Sequence, residues 1–119
     1  MEPLESIHDE DALLRRAPHT DPNFIKPDGT VSSFAFTPRK GEDVLSVNIE
    51  RCTTYEATIL DRTRYRLFAL LAAEPRSLGL ECRHDPKPDN YAHALITGNF
   101  TKSISKQLAV KARRIAYPD

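Results

Sequence analysis

The sequence predicts a single α+β domain, a mostly antiparallel sheet of four to five strands packed by two or three helices. Three stretches carry that expectation. Val44–Glu50 (VLSVNIE) alternates apolar and polar residues as a half-buried strand does. Tyr65–Ala73 (YRLFALLAA) is a short apolar run, read as a buried strand because the alternative, one long helix from Thr54, leaves too small a sheet. Tyr91–Ile115 (YAHALITGNFTKSISKQLAVKARRI) joins an apolar strand, a Gly-Asn turn and an amphipathic helix without an acid. A chain of 119 residues suffices for a core without disulfide or metal support.

In chain order, residues 1–8 read as a flexible arm. Glu10–Ala17 is expected as a short helix with Leu13 and Leu14 inward and Pro18 as its stop. The stretch HTDPNFIKPDGT holds turn chemistry, with Pro27-Asp28-Gly29 its sharpest signal and Phe24 and Ile25 as anchors to the core. Val31–Thr37 is expected as a strand with Phe34 and Phe36 on one face. In Val44–Glu50, Leu45, Val47 and Ile49 point inward and Ser46, Asn48 and Glu50 outward. A helix over Thr54–Arg62 is capped by Thr53 or Thr54. Glu74–Gly79 forms one helical turn with Pro75 at its first position, and Leu80–His84 and Tyr91–Thr97 form a hairpin around DPKPDN. No linker divides residues 1–119.

Charge is balanced overall but not along the chain. Residues 1–60 hold eleven acids and six bases, and residues 61–119 hold six acids and eleven bases. This asymmetry suits an anionic partner for the basic half, or two halves that pack on each other. Two isolated cysteines make no disulfide framework, no apolar run approaches the ~20 residues of a membrane span, and the acidic N-terminus lacks a basic n-region. The expected compartment is the cytoplasm, with no membrane partner.

The stretches SSFAF (Ser32–Phe36), LSV (Leu45–Val47) and DPKPDNYAHALITG (Asp85–Gly98) resemble a group of small, single-domain bacterial proteins. The resemblance spans roughly residues 18–115. It implies a bacterial α+β domain and an accessory role beside a larger partner, in defence-type or toxin-related gene sets, and it supplies no catalytic residue.

Four places could carry chemistry, each with a plain structural alternative. On the C-terminal helix, Ile104, Leu108, Ala112 and Ile115 form a buried stripe. Lys102, Lys106 and Arg113 lie opposite it and Lys111 and Arg114 flank it, five bases suited to nucleic-acid phosphates or to a solvated face. Gly98–Ser103 opens that helix, where Lys102 and Ser103 could hold an anion or Thr101 or Ser103 could simply cap it. A hairpin with a loop over Asp85–Asn90 pairs His84 with Tyr91 and Cys82 with His93. That register gives a weak thiol–imidazole candidate or a core cysteine beside a hydrogen-bonded histidine. The cluster His8-Asp9-Glu10-Asp11, with His19 and Asp21, suits a cation or a helix N-terminus. No catalytic signature, metal pattern or cofactor fingerprint is matched.

The function expected from sequence is a non-catalytic protein-binding module for a larger partner, with no cofactor and no metal. Its alternatives are a nucleic-acid-binding accessory protein and a small thiol- or histidine-dependent enzyme or metal protein using Cys82 and His93. An exposed edge strand, such as Val31–Thr37, would support a homodimer or strand addition to a partner.

Overall fold

The computed structural model describes residues 4–115. Six strands form one antiparallel sheet: β1 (Ala12–Pro18), β2 (Val44–Ile49), β3 (Tyr65–Leu71), β4 (Glu81–His84), β5 (His93–Thr97) and β6 (Arg113–Ile115), in the order β4-β5-β2-β1-β3-β6. The helices are α1 (Tyr55–Ile59), α2 (Ala73–Ser77) and α3 (Lys102–Lys111), with 3-10 turns at Ser33–Phe36 and Glu50–Cys52. The α+β architecture is as expected, with six strands in place of four or five. Among the described residues no helix is long and apolar enough to cross a membrane.

The first strand departs most from expectation. Residues foreseen as a helix over Glu10–Ala17 form β1 near the sheet centre, paired along its whole length with β3 from Ala12↔Leu71 to Pro18↔Tyr65. Both faces of this strand are covered. Leu13 and Ala17 enter the larger core, while Ala12 and Leu14 enter a smaller one on the opposite face. Burial on both sides removes the alternation that marks a half-exposed strand.

The larger core takes Leu45, Val47 and Ile49 from β2, Phe68 and Leu70 from β3, and Ala94 and Ile96 from β5, beneath Phe36 and Leu108. The inward set of β2 is thus as expected. Val31–Thr37 is not a strand. Val31 makes a single bridge to Ile25, and Ser33–Phe36 is a 3-10 turn whose Phe34 N–H is capped by the Ser32 hydroxyl at 3.2 Å. The tighter turn separates the two rings, leaving Phe36 1% exposed and Phe34 55% exposed. Phe34 instead packs edge-on against Phe24, with centroids 4.8 Å apart. The open sheet edges are β4 and β6, so the edge expected at Val31–Thr37 is absent.

On the second face, α1 lies mainly over β1 and β3, burying Ile59 against Leu14, Leu67 and Ala69, and reaches β2 through Thr58. Thr54 caps it by accepting the Ala57 N–H at 3.1 Å. It stops well short of the expected Arg62. Leu60 sits at φ 63°, ψ −52°, and Asp61 N–H donates to the Ile59 carbonyl at 2.7 Å, a strained γ-turn that no helix continues through. In α2, Pro75 is the third residue, not the first.

The C-terminal helix is also shorter than its pattern suggests. Thr101 caps α3 by accepting the Ile104 N–H at 3.1 Å, and Leu108 and Ser105 are buried beneath it. The helix stops at Lys111, and Arg113–Ile115 pairs with β3 as an edge strand. Gly98, at φ +143°, makes the approach to α3 possible, since a Cβ there would lie 2.7 Å from Leu80 Cδ2.

The described part of the expected arm is tethered. Glu5 N–H donates to His84 Nδ1 at 2.8 Å, Tyr91 O–H donates to Glu5 Oε2 at 2.7 Å, and Arg76 donates to the Ile7 carbonyl at 2.6 Å.

Candidate functional site: a carboxylate-free basin on the sheet

Because α1 lies mainly over β1 and β3 and reaches β2 only at Asn48, the second face of the sheet steps down toward β5. A polar basin of about 230 Å³ lies at that step. It is lined by Arg16, Ser46, Asn48, Thr58, Tyr65, Asn90 and His93, with Leu14, Arg15 and Val47 completing the wall and no aspartate or glutamate among them.

Register explains the assembly. Leu14 of β1 is opposite Asn48 of β2, and Asn48 is opposite His93 of β5, so three strands place one row of side chains on the same face. Asn48, outward by alternation, is nevertheless only 7% exposed, because α1 and the loop before β5 close over it. Its carbonyl accepts from Asn90 Nδ2 at 2.9 Å and its amide donates to Thr58 Oγ1 at 3.1 Å, with Thr53 Oγ1 a further 3.1 Å away. Every amide and hydroxyl in that chain is oriented by its neighbour.

Arg16 donates to the Thr58 carbonyl at 2.7 Å and lies 5.8 Å from the Tyr65 ring centroid. Arg15 sits where the β1–β2 ladder ends. Its Nε donates to the Ala35 carbonyl and its Nη1 to the Ser46 carbonyl, each at 2.8 Å. Neither arginine has a carboxylate partner among the described residues. Burial pushes the Arg15 guanidinium down to about 10, with repulsion from Arg16 and Arg39 acting the same way. It remains a cation at neutral pH.

His93 is fixed from behind. Its Nδ1 lies 2.8 Å from the Asp85 carbonyl and 3.2 Å from the Asp85 carboxylate, so Nδ1 carries the proton. A hydrogen bond from Lys87, with the nearby positive charges, holds Asp85 below the usual carboxylate range despite partial burial. No buried side-chain nitrogen or oxygen lacks a partner among the described residues. His93 Nε2, which has none, is therefore open to solvent. The basin thus offers cationic and amide donors, the groups that fit an oxyanion, while the imidazole acceptor suits only a protonated ligand oxygen.

The structure separates Cys82 from His93. Cys82 pairs with Ile96 and His84 with Ala94, three residues out of the expected register, which turns Cys82 toward the larger core and His93 to the other face. The cause is the loop: a bridge between Lys87 and Asn90 closes a tight turn, and Tyr91 and Ala92 stay outside the ladder. Burial raises the Cys82 thiol to about 11 against an ordinary 9.0, and Cys52 is also raised by burial. Two units mean roughly a hundredfold less thiolate. Alkylation of Cys82 by iodoacetamide at pH 8 is accordingly expected to run roughly a hundredfold slower than that of a free cysteine; a rate near the free value would restore it as a nucleophile.

The five C-terminal bases do not share a helix face. Lys102, Lys106 and Lys111 are on α3, whereas Arg113 and Arg114 are on β6 and alternate across the sheet, opposite Ala69 and Phe68. Ser103 receives a hydrogen bond from Gln107 at 3.2 Å, while capping falls to Thr101. The N-terminal acids serve ion pairs, Asp9 with Arg76 at 2.8 Å and Asp11 with Arg51 at 2.9 Å, and Arg51 also pairs with Glu5. Asp21 accepts the Asn23 N–H at 2.9 Å, and His19 Nε2 meets the Thr63 carbonyl. No cluster of three or more metal-ligating side chains occurs among the described residues.

Of the basin, only His93 was a candidate from sequence. Asn90 lies within the DPKPDN turn and Asn48 within an alternating strand, both places where asparagine has ordinary explanations. Comparison with family models, curated proteins and solved structures finds no match to this chain.

Proposed function

We propose that the chain is a non-catalytic binding module whose basin captures an anionic group, a carboxylate or phosphate, presented by a larger protein partner. The observation that supports this reading is a concave site with two arginines unpaired by any carboxylate, in a wall that holds no acidic side chain. A cation without a counterion leaves electrostatic energy for a ligand to recover, more at the half-buried Arg15 than at the exposed Arg16. The small volume suits one functional group, not a whole metabolite.

The test is titration of the isotope-labelled protein with acetate and with inorganic phosphate, followed by amide NMR. The side-chain NH₂ signals of Asn48 and Asn90 are expected to shift in a saturable way, and Arg16→Glu to weaken the effect about tenfold or more. Shifts that do not saturate, or that survive in Arg16→Glu, would defeat the proposal. A salt-sensitive gel shift that is lost in Lys106→Glu with Arg113→Glu, while the basin stays silent, would favour nucleic acid instead.

A further inference from the structure

The opposite face of the sheet carries a second concavity that the basin does not explain. A slot of about 600 Å³ runs between residues 26–33 and the C-terminal half of α3, with Phe68 of β3 among its walls. Val31, Phe68, Ala109, Val110 and Ala112 are its apolar lining, with Val31 and Phe68 nearly buried at 5% and 3% exposure and Val110 82% exposed at its lip. An exposed valine on a helix that otherwise buries Leu108 has no partner within the fold.

The chemistry changes along the slot. It shares Lys26, Gly29 and Arg114 with an adjoining concavity of about 380 Å³, which adds Arg66, His19 and Thr20. Lys26 and Arg114 thus line both concavities, Arg66 lines the adjoining one, and Lys106 lines the slot itself. Neither concavity is lined by an aspartate or glutamate. The nearest acid in sequence, Asp28, accepts from Thr30 N–H at 3.0 Å and from the Thr30 hydroxyl at 2.7 Å, and lies close enough to Lys26 for a weak charge attraction. Arg66 is oriented by the Arg62 and Tyr65 carbonyls at 2.9 and 3.0 Å and makes no ion pair among the described residues.

An apolar trough that opens into a cluster of cations selects for a molecule with the same division. We infer that this slot binds a single-chain amphiphile with an anionic head, a fatty carboxylate, its chain along Val31, Phe68 and Ala109 and its head at Lys26, Arg66 and Arg114. The volume lies within the range of small-ligand sites. Charge complementarity decides between an anionic and a cationic amphiphile, and the apolar wall decides against a small free anion.

A dansyl-labelled undecanoate, whose fluorescence rises in apolar surroundings, serves as the probe on the full chain. Saturable binding is expected, with displacement by dodecanoate and not by dodecyltrimethylammonium. Ala109→Trp, which fills the slot from the helix side, is expected to abolish binding. Arg114→Glu with Lys106→Glu should weaken it about tenfold or more. Lys102→Glu, at the other end of α3, and Arg16→Glu, in the basin, are expected to leave it unchanged, so this inference and the basin reading fail independently. Thermal melts of each variant distinguish loss of the slot from loss of the fold. Absence of probe binding to wild type, equal displacement by the cationic amphiphile, or full binding by a folded Ala109→Trp overturns the inference. So does association with anionic phospholipid vesicles alone, without dodecanoate binding.

Discussion

Replacing Phe36 by alanine is expected to lower the unfolding free energy by about 3–5 kcal/mol, whereas Phe34→Ala, two residues earlier, should cost no more than about 1 kcal/mol. Phe36 is among the largest fully buried side chains and packs between the sheet and α3. Truncation leaves a cavity that the surrounding strands cannot close, because sheet backbone moves as a ladder and not residue by residue. The Phe36 carbonyl, which accepts from Ser105 Oγ at 2.9 Å, survives the change, so the loss reports packing alone. Phe34 gives up only its edge contact with Phe24 and a half-exposed surface. Against a typical domain stability of about 5–15 kcal/mol, the first change removes a large share and the second little. Urea unfolding of both variants checks the pair. Equal losses would mean that the two rings share a face, as an extended strand requires, and that the 3-10 turn is wrong.

That pair also shows where local pattern stops being informative. The sequence FAF reads equally as a strand with both rings inward or as a tight turn with one ring inward. The choice rests on the Ser32 cap and on the docking of α3, roughly seventy residues away in sequence. β2 and β3 were legible because their apolar residues repeat at a strand period or form an uninterrupted run of strand length. β1 was not. Its apolar residues belong to two different cores, and its arginines leave where the β1–β2 ladder ends and by the edge of the α1 cover, so LLRRAP satisfies neither strand nor helix periodicity well. The end of α3 was hidden for a similar reason. Ala112 and Ile115 continue the helical spacing, yet pairing of Arg113–Ile115 with β3 satisfies an otherwise open sheet edge.

The candidate site was even less legible, and the reason is register. Cys82 and His93 could be placed on one face only by assuming a loop length, and an odd shift reverses that placement. What does surround His93 comes from β1, β2, α1 and the turn before β5. No short motif joins Arg16, Asn48, Thr58 and Asn90, and the antiparallel neighbours that unite them are separated by tens of residues. A polar residue that alternates outward on a strand ordinarily meets water. Asn48 could be recognised as part of a site only once α1 was known to overhang it.

Asn48 therefore provides the second large effect, one that separates folding from binding. Asn48→Ala is expected to cost about 1–3 kcal/mol, since the Thr58 hydroxyl and the Asn90 amide lose a shared, mostly buried partner. Anion affinity should fall only a few-fold, because the Arg16 guanidinium and the Asn90 amide remain. Asn48→Asp has the opposite profile. A carboxylate can still accept from Asn90, and the Thr58 hydroxyl can rotate to donate to it, so a folded protein is expected. The new charge, however, sits in the same wall as Arg16 and supplies the counterion the basin lacks. Acetate and phosphate binding should then drop about tenfold or more, by neutralisation of the cation and by direct repulsion. Urea melts and the NMR titration, applied to both variants, check each half. If Asn48→Asp binds as wild type does, the arginine charge is not what holds the anion. If Asn48→Ala is as stable as wild type, the hydrogen-bond chain from Asn90 to Thr53 does not help to hold the basin's shape.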